Sequence, residues 1–269
     1  MAVIQALRTA LFYLLFLGQT VILAIIVGTA AMIRRGRTDF GWRVAQYWAA
    51  ANLTLLRRIV GISTEVSGIE NLPPGPCIIA GKHMSDWDIF ALLPHTSGKP
   101  AFMAKKELMD IPFFGQAAAS FDTIMVDRKA GAEGIPRMMA DARKALAKGC
   151  RIIIFPEGTR KAPLADPDYR QGIVRMYREL NVPVVPVALD SGLYWGRNSL
   201  VAWPGTARAK FLPAIQPGLT DAAFRALLIE TVERETRALV LDAIDRGIAR
   251  PVTGDLAERA RAARQAAAG

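Results

Sequence analysis

The feature that most constrains this chain lies at its start: no charged residue stands between Arg8 and Arg34, and Thr9 to Ile33 consists mainly of Leu, Ile, Val, Ala and Phe. A helix of that length can cross the hydrocarbon layer of a bilayer, about 30 Å thick. The segment therefore belongs at a membrane. Gly28-Thr29-Ala30-Ala31 offers small residues for signal cleavage, but the apolar run exceeds the usual signal-peptide core of about 7–15 residues. The polar pair Gln19-Thr20 interrupts the run, and the next segment, Phe40 to Val60, sets Trp42, Tyr47, Trp48, Leu53, Leu55 and Leu56 beside Arg43, Arg57 and Arg58. That mixture reads as an amphipathic interfacial helix. Residues 1–61 are thus expected to anchor the chain, either as a true span or as two helices dipping into one leaflet. In a span, Arg34, Arg35 and Arg37 against Arg8 would place the remainder on the cytoplasmic side of the cell inner membrane.

From Ser63 onward, short β-like runs alternate with helical stretches, which predicts one α/β domain over residues 62–250 with a mixed, mostly parallel central sheet flanked by helices. Strands are expected near Thr64 to Val66, Cys77 to Ala80, Ala101 to Ala104, Thr123 to Val126, Ile152 to Phe155, Val184 to Ala188 and Ala207 to Phe211. Val182 to Leu189 reads as a buried strand with Pro186 at its exposed end. Gly134 to Lys148 and Ala222 to Ile244 carry helical spacing, and the Pro-Pro-Gly-Pro run at Pro73 to Pro76 delivers the chain into the second strand. The Ala/Arg-rich tail, residues 251–269, reads as a solvated or frayed helix able to touch anionic lipid.

Lys and Arg total 34 against 24 Asp and Glu, so the formal charge of +10 favours an anionic partner: nucleic acid, phospholipid head groups or a phosphorylated substrate. The apolar anchor and the lack of a basic, aromatic recognition module argue against nucleic acid. The only cysteines, Cys77 and Cys150, each border an apolar run, as core thiols do; they form neither a disulfide framework nor a metal-ligand set, and no cofactor is expected.

The chain has two histidines, so an imidazole base is His83 or His95. His83 follows Ile78-Ile79-Ala80 at the mouth of a predicted strand, where α/β proteins place their sites. A histidine that deprotonates an alcohol needs a carboxylate on its other nitrogen. Asp86 and Asp88 both lie within reach in sequence. Taken alone, these residues fit a surface turn capping a helix that begins near Asp86 better than a catalytic pair.

The run His83-Met84-Ser85-Asp86-Trp87-Asp88 resembles the His-x4-Asp motif of the phospholipid and glycerol acyltransferases, in their bacterial 1-acylglycerol-3-phosphate acyltransferase branch. Lys105-Lys106-Glu107-Leu108, Ile111-Pro112-Phe113-Phe114-Gly115 and Val126-Asp127-Arg128 resemble the second block, Phe155-Pro156-Glu157-Gly158-Thr159-Arg160 the third, and Val182 to Leu189 the fourth. The resemblance spans roughly Ser67 to Pro213. It departs at Lys82, where many members carry Asn, and at Met84, often Gln, positions that bear on acceptor preference.

The resemblance implies direct transfer of a fatty acyl group from acyl-CoA or an acyl carrier protein thioester to lysophosphatidate. His83 would be the base and Asp88 its partner. Lys105, Arg128, Glu157, Gly158, Thr159 and Arg160 would surround the acceptor phosphate, Glu157 orienting Arg160 or a glycerol hydroxyl. Block four is linked with the acyl donor. Five helical steps would set residues 83 and 88 roughly 140° apart, so His83 must precede the helix and bend back, leaving Asp86 as its cap. A backbone N–H near Gly158 is a candidate oxyanion donor. Rival readings are an acyltransferase for another lyso-lipid, such as lyso-ornithine lipid, and a non-catalytic lipid-binding protein.

Overall fold

The computed structural model describes residues 2–34, 38–96, 99–127 and 129–268. Arg128 and the orienting residues Arg35 and Arg37 lie outside the described residues. Seven strands form one sheet: β1 (Ile62–Ser67), β2 (Ile78–Gly81), β3 (Pro100–Lys105), β4 (Ile124–Val126), β5 (Arg151–Ile154), β6 (Val184–Leu189) and β7 (Gly205–Phe211), in the order β1-β7-β6-β2-β5-β3-β4. Only β6 and β7 pair antiparallel. The sheet is therefore mixed and mostly parallel, and every expected strand is present.

β2, β5 and β6 are buried at every position, as their unbroken apolar runs require of strands covered on both faces. Alternation sorts their side chains: Ile79, Ile153 and Val185 enter one core with Trp87 and Phe90, whereas Ile78, Ile152 and Val184 enter the other with Met139, Tyr177 and Phe224. Register pairs Ala80 with both Ile154 and Pro186, so the three central strands end together at one edge. Pro186 is buried inside β6 and not at an exposed end. Its carbonyl accepts from Leu212 N at 2.9 Å and pairing with β7 resumes at Val187, so a single ladder donor is lost.

Helices α1 (Ala2–Arg34) and α2 (Thr38–Leu55) precede the sheet, followed by α3 (Trp87–Leu92), α4 (Phe114–Ala119), α5 (Ile135–Ala147), α6 (Gln171–Leu180), α7 (Asp221–Arg246) and α8 (Gly254–Ala268). A π-helical turn, Leu56–Val60, links α2 to β1 and stops at Gly61, whose φ of +89° suits glycine. The tail is not frayed. α8 buries Leu256 and Ala260, and Arg259 Nε donates to Pro163 O at 3.0 Å.

α1 lies along the domain over most of its length. Gln5 Nε2 donates to Val60 O (2.8 Å), Ala202 N to Thr9 Oγ1 (3.0 Å) and Trp48 Nε1 to Thr20 Oγ1 (2.9 Å), while Gln19 Nε2 donates to Asn52 Oδ1 (2.7 Å). Phe12 is fully buried edge-on to Trp195, with ring centroids 5.3 Å apart. Near the far end, a Cβ on Gly28 would stand 2.5 Å from the carbonyl oxygen of Phe113, so glycine is what lets α1 touch that turn. The polar residues that interrupt the apolar run thus face protein. The opposite face exposes Val3, Ile4, Leu7, Leu11, Leu14, Val21, Ile22 and Ile25, which share one side of the helix.

Candidate active site

The loops leaving β2, β5 and β6 meet at the carboxyl edge of the sheet, the usual location of sites in open α/β folds. After β2 the chain runs without regular secondary structure through Lys82-His83-Met84-Ser85 before α3 begins at Trp87. This break returns the imidazole to the helix: His83 Nδ1 lies 2.8 Å from Asp88 Oδ2. The same oxygen accepts Met84 N at 2.7 Å and Ser85 N at 3.0 Å. Asp88 is fully buried, and its other oxygen, Oδ1, accepts the hydroxyl of Ser191 from the turn after β6. A carboxylate so placed keeps the proton on Nδ1 and presents Nε2 as a lone pair. The ring stacks on Phe155 with centroids 3.9 Å and planes 13° apart, which fixes its remaining freedom. His83 O also accepts Lys161 N at 2.8 Å, joining the loops of β2 and β5. His95 sits elsewhere, edge-on to Phe211, where burial lowers its pKa.

Asp86 stands at the N-cap position of α3 but makes no capping bond; Ser85 Oγ accepts Trp87 N instead, at 3.1 Å. The carboxylate of Asp86 meets Arg160 Nη1 at 2.5 Å. Burial raises the pKa of Asp86, and Arg160 opposes the rise. The expected cap is therefore an ion pair. Tyr13 of α1, whose hydroxyl accepts Trp195 Nε1 at 2.9 Å, lies within electrostatic reach of that pair, so α1 borders the site.

Glu157 is turned inward. Its Oε1 accepts the ammonium of Lys82 at 2.9 Å and its Oε2 accepts His83 N at 3.4 Å, while Lys82 also reaches Glu233 Oε1 of α7 at 2.8 Å. Tyr169 completes this network, donating its hydroxyl to Glu233 at 3.0 Å. Glu157 thus supports the histidine loop from beneath and does not orient Arg160. Lys82 and Met84, the two departures from the family pattern, are both buried, so neither side chain faces an acceptor. Gly158 takes a φ of +66°, and its own N–H donates to Phe155 O at 2.9 Å, closing the turn. Thr159 Oγ1 accepts Arg197 Nη1 at 3.0 Å, adding a cation from the β6–β7 connection that sequence reasoning did not single out. Lys105 is exposed at the end of β3, on the same edge, and Lys106 pairs with Asp127 at 2.8 Å. Arg128 lies outside the described residues.

Cys77 and Cys150 are buried, and burial pushes both thiols up to about 11. Thiolate chemistry at neutral pH is thereby suppressed. Treatment of the folded protein with N-ethylmaleimide at mildly alkaline pH is expected to label neither thiol and to leave activity unchanged. Stoichiometric labelling with parallel inactivation would instead give a cysteine a part in the reaction.

The pairing of a buried carboxylate with a histidine at the mouth of a parallel sheet defines a site equipped to activate a hydroxyl group. The acyltransferase family model matches residues 63–190, which run from within β1 to just past β6. A 1-acyl-sn-glycerol-3-phosphate acyltransferase of Pseudomonas aeruginosa is 33% identical over 215 residues, covering 80% of this chain and 83% of its own. The human enzyme 1-acyl-sn-glycerol-3-phosphate acyltransferase alpha is 26% identical over 191 residues, 67% of each chain. The crystal structure of the 1-acyl-sn-glycerophosphate (LPA) acyltransferase PlsC from Thermotoga maritima superposes with a TM-score of 0.70 at 21% identity, covering 87% of this chain and 97% of that one. The chain belongs to the acyltransferase family.

Proposed function

We propose that this enzyme transfers a fatty acyl group from an acyl-CoA or acyl carrier protein thioester to the sn-2 hydroxyl of lysophosphatidate. The observation that carries the reading is the contact between His83 Nδ1 and the buried carboxylate of Asp88, which no described residue matches by a hydrogen bond on Nε2. The similarity to named lysophosphatidate acyltransferases supports the choice of acceptor. His83 Nε2 takes the hydroxyl proton as the oxygen attacks the thioester carbonyl. Asp88 stabilises the imidazolium that forms. The carbon–sulfur bond then breaks, and the thiolate leaves with the proton returned by His83, giving phosphatidate and a free thiol.

The acceptor phosphate is assigned to Arg160, with Lys105 and Arg128 as further cations and Thr159 at the rim. A phosphomonoester carries about −1.5 to −2 charges near neutral pH, so it competes well with the single charge of Asp86 for the guanidinium fork. Arg160→Lys keeps the charge and loses the fork. It is expected to raise KM for lysophosphatidate about tenfold while KM for the acyl donor stays within about twofold. Equal changes for both substrates would remove Arg160 from the acceptor site.

The exposed apolar stripe of α1 supports attachment to a membrane. Because α1 docks on the domain over most of its length, we assign it to one leaflet, parallel to the surface. The deciding assay for function is thiol release from acyl-CoA by purified protein in detergent, comparing lysophosphatidate with lyso-ornithine lipid and with lysophospholipids of larger head group. Preference for lysophosphatidate in kcat/KM is expected. Thiol release with none of them would reduce the chain to a lipid-binding protein.

A further inference from the structure

Ser191 opens the short turn that follows β6, one residue after Asp190. It is 1% exposed, and its hydroxyl donates to Asp88 Oδ1, the carboxylate oxygen that His83 does not use. The two oxygens of Asp88 are loaded unequally: Oδ2 receives His83 Nδ1, Met84 N and Ser85 N, whereas Ser191 is the hydrogen-bond donor recorded on Oδ1 among the described residues. Without the hydroxyl, a buried anionic oxygen has no described partner, and the carboxylate is released to rotate away from the imidazole.

The turn is itself held from three sides. Ser191 O accepts Tyr194 N and Trp195 N, both at 3.0 Å, and Arg250 Nη1 donates to Gly192 O at 2.7 Å. The preceding Asp190 binds Arg208 through its backbone N (2.7 Å) and its Nε (2.8 Å). Gly192 presses on the histidine loop so closely that a Cβ there would lie 2.8 Å from Met84 Cβ. A donor held this firmly can fix the carboxylate it touches. The hydroxyl sits on the carboxylate and not on the imidazole, so the arrangement is not that of an activated serine nucleophile.

We propose that Ser191 is a positioning residue for the reaction, locking the Asp88 carboxylate so that Oδ2 stays on His83 Nδ1. The proposal rests on the His83–Asp88 reading given above and extends it to the β6 turn, beyond the interval matched by the family model. Ser191→Ala deletes one oxygen atom and leaves the packing of the turn in place. It is expected to lower kcat about 10–100-fold, the range for losing a hydrogen bond to a charged group, with KM for both substrates within about twofold.

A purely structural role would lower the rate by the same factor in any background, whereas action through Asp88 would not. In an Asp88→Asn background, Ser191→Ala is therefore expected to cost less than about twofold further. With only two histidines in the chain, nitrogen NMR of imidazole-labelled protein gives an independent reading. The Nδ1–H tautomer of His83 is expected to dominate in the wild-type protein and to become mixed in Ser191→Ala. A kcat within about twofold of wild type, an equal loss in both backgrounds, or an unchanged His83 tautomer would each overturn the assignment. If His83→Ala retained transfer activity the underlying mechanism would fail instead, and the tautomer measurement would still report on Ser191.

Discussion

His83→Ala is expected to lower kcat by about 10²–10⁴-fold, the contribution of a general base, while the melting temperature moves by only a few degrees. The imidazole is on the edge of the fold, 15% exposed and stacked on Phe155, so its loss opens the site to solvent and does not leave a cavity in the core. The group beneath it is a different matter: Asp88 keeps its bonds from Met84 N, Ser85 N and Ser191 and remains satisfied. No other imidazole can take over, because His95 packs on Phe211, and burial together with Arg151 lowers its pKa. Thiol release followed against lysophosphatidate, with a circular dichroism melt on the same sample, checks both halves. Activity within a few fold of wild type would place the base elsewhere.

The parts of this site that sequence exposed are those carried by short-range pattern. The seven strands are legible because the central three are unbroken apolar runs buried on both faces, while β1 and β7 alternate in burial and begin at or just after a glycine. α6 carries little helical signal at its ends in the sequence: it spans only ten residues, follows a Pro-containing stretch, and has no capping side chain at Arg170. Of the nearby aspartates, the residues alone leave both open and the family resemblance implies Asp88; the structure sets that residue against His83. The role expected of Asp86 did not follow, because its partner Arg160 lies 74 positions away. Glu157 illustrates the same limit, since a carboxylate beside an arginine in sequence points instead to a lysine on the neighbouring strand's loop. Ser191 carried a faint signal, a hydroxyl just past a buried strand at the edge where sites form. The docking of α1 carried another: Gln5, Thr9, Gln19 and Thr20 fall on one stripe of an otherwise apolar helix, which marks the face that needs partners.

Lys82→Met is expected to be the most destabilising of the substitutions considered, by about 3–5 kcal/mol, because it leaves two inward-facing carboxylates without their cation. Lys82 is 1% exposed in its side chain, Glu157 0% and Glu233 17%. Methionine fills the volume of the lysine stem, so the effect isolates the charge. Burial raises the pKa of Glu157, and Lys82 is the largest opposing cause; in Lys82→Met that opposition is gone and the rise is larger. A carboxyl whose folded pKa exceeds its unfolded value adds stability below the unfolded pKa and loses it as pH rises through the folded one. The deficit of Lys82→Met relative to wild type is therefore expected to be smallest in acid and to grow toward neutral pH. Adding Glu157→Gln, which removes the anion that must otherwise be buried, should recover part of the loss at neutral pH and little of it in acid. Because Glu157 also receives His83 N, the single variant should lose kcat even below its melting temperature. Denaturant unfolding of the three proteins across that pH range tests the assignment. A deficit independent of pH, or no recovery in the double variant, would show that Lys82 contributes through packing and not through its charge.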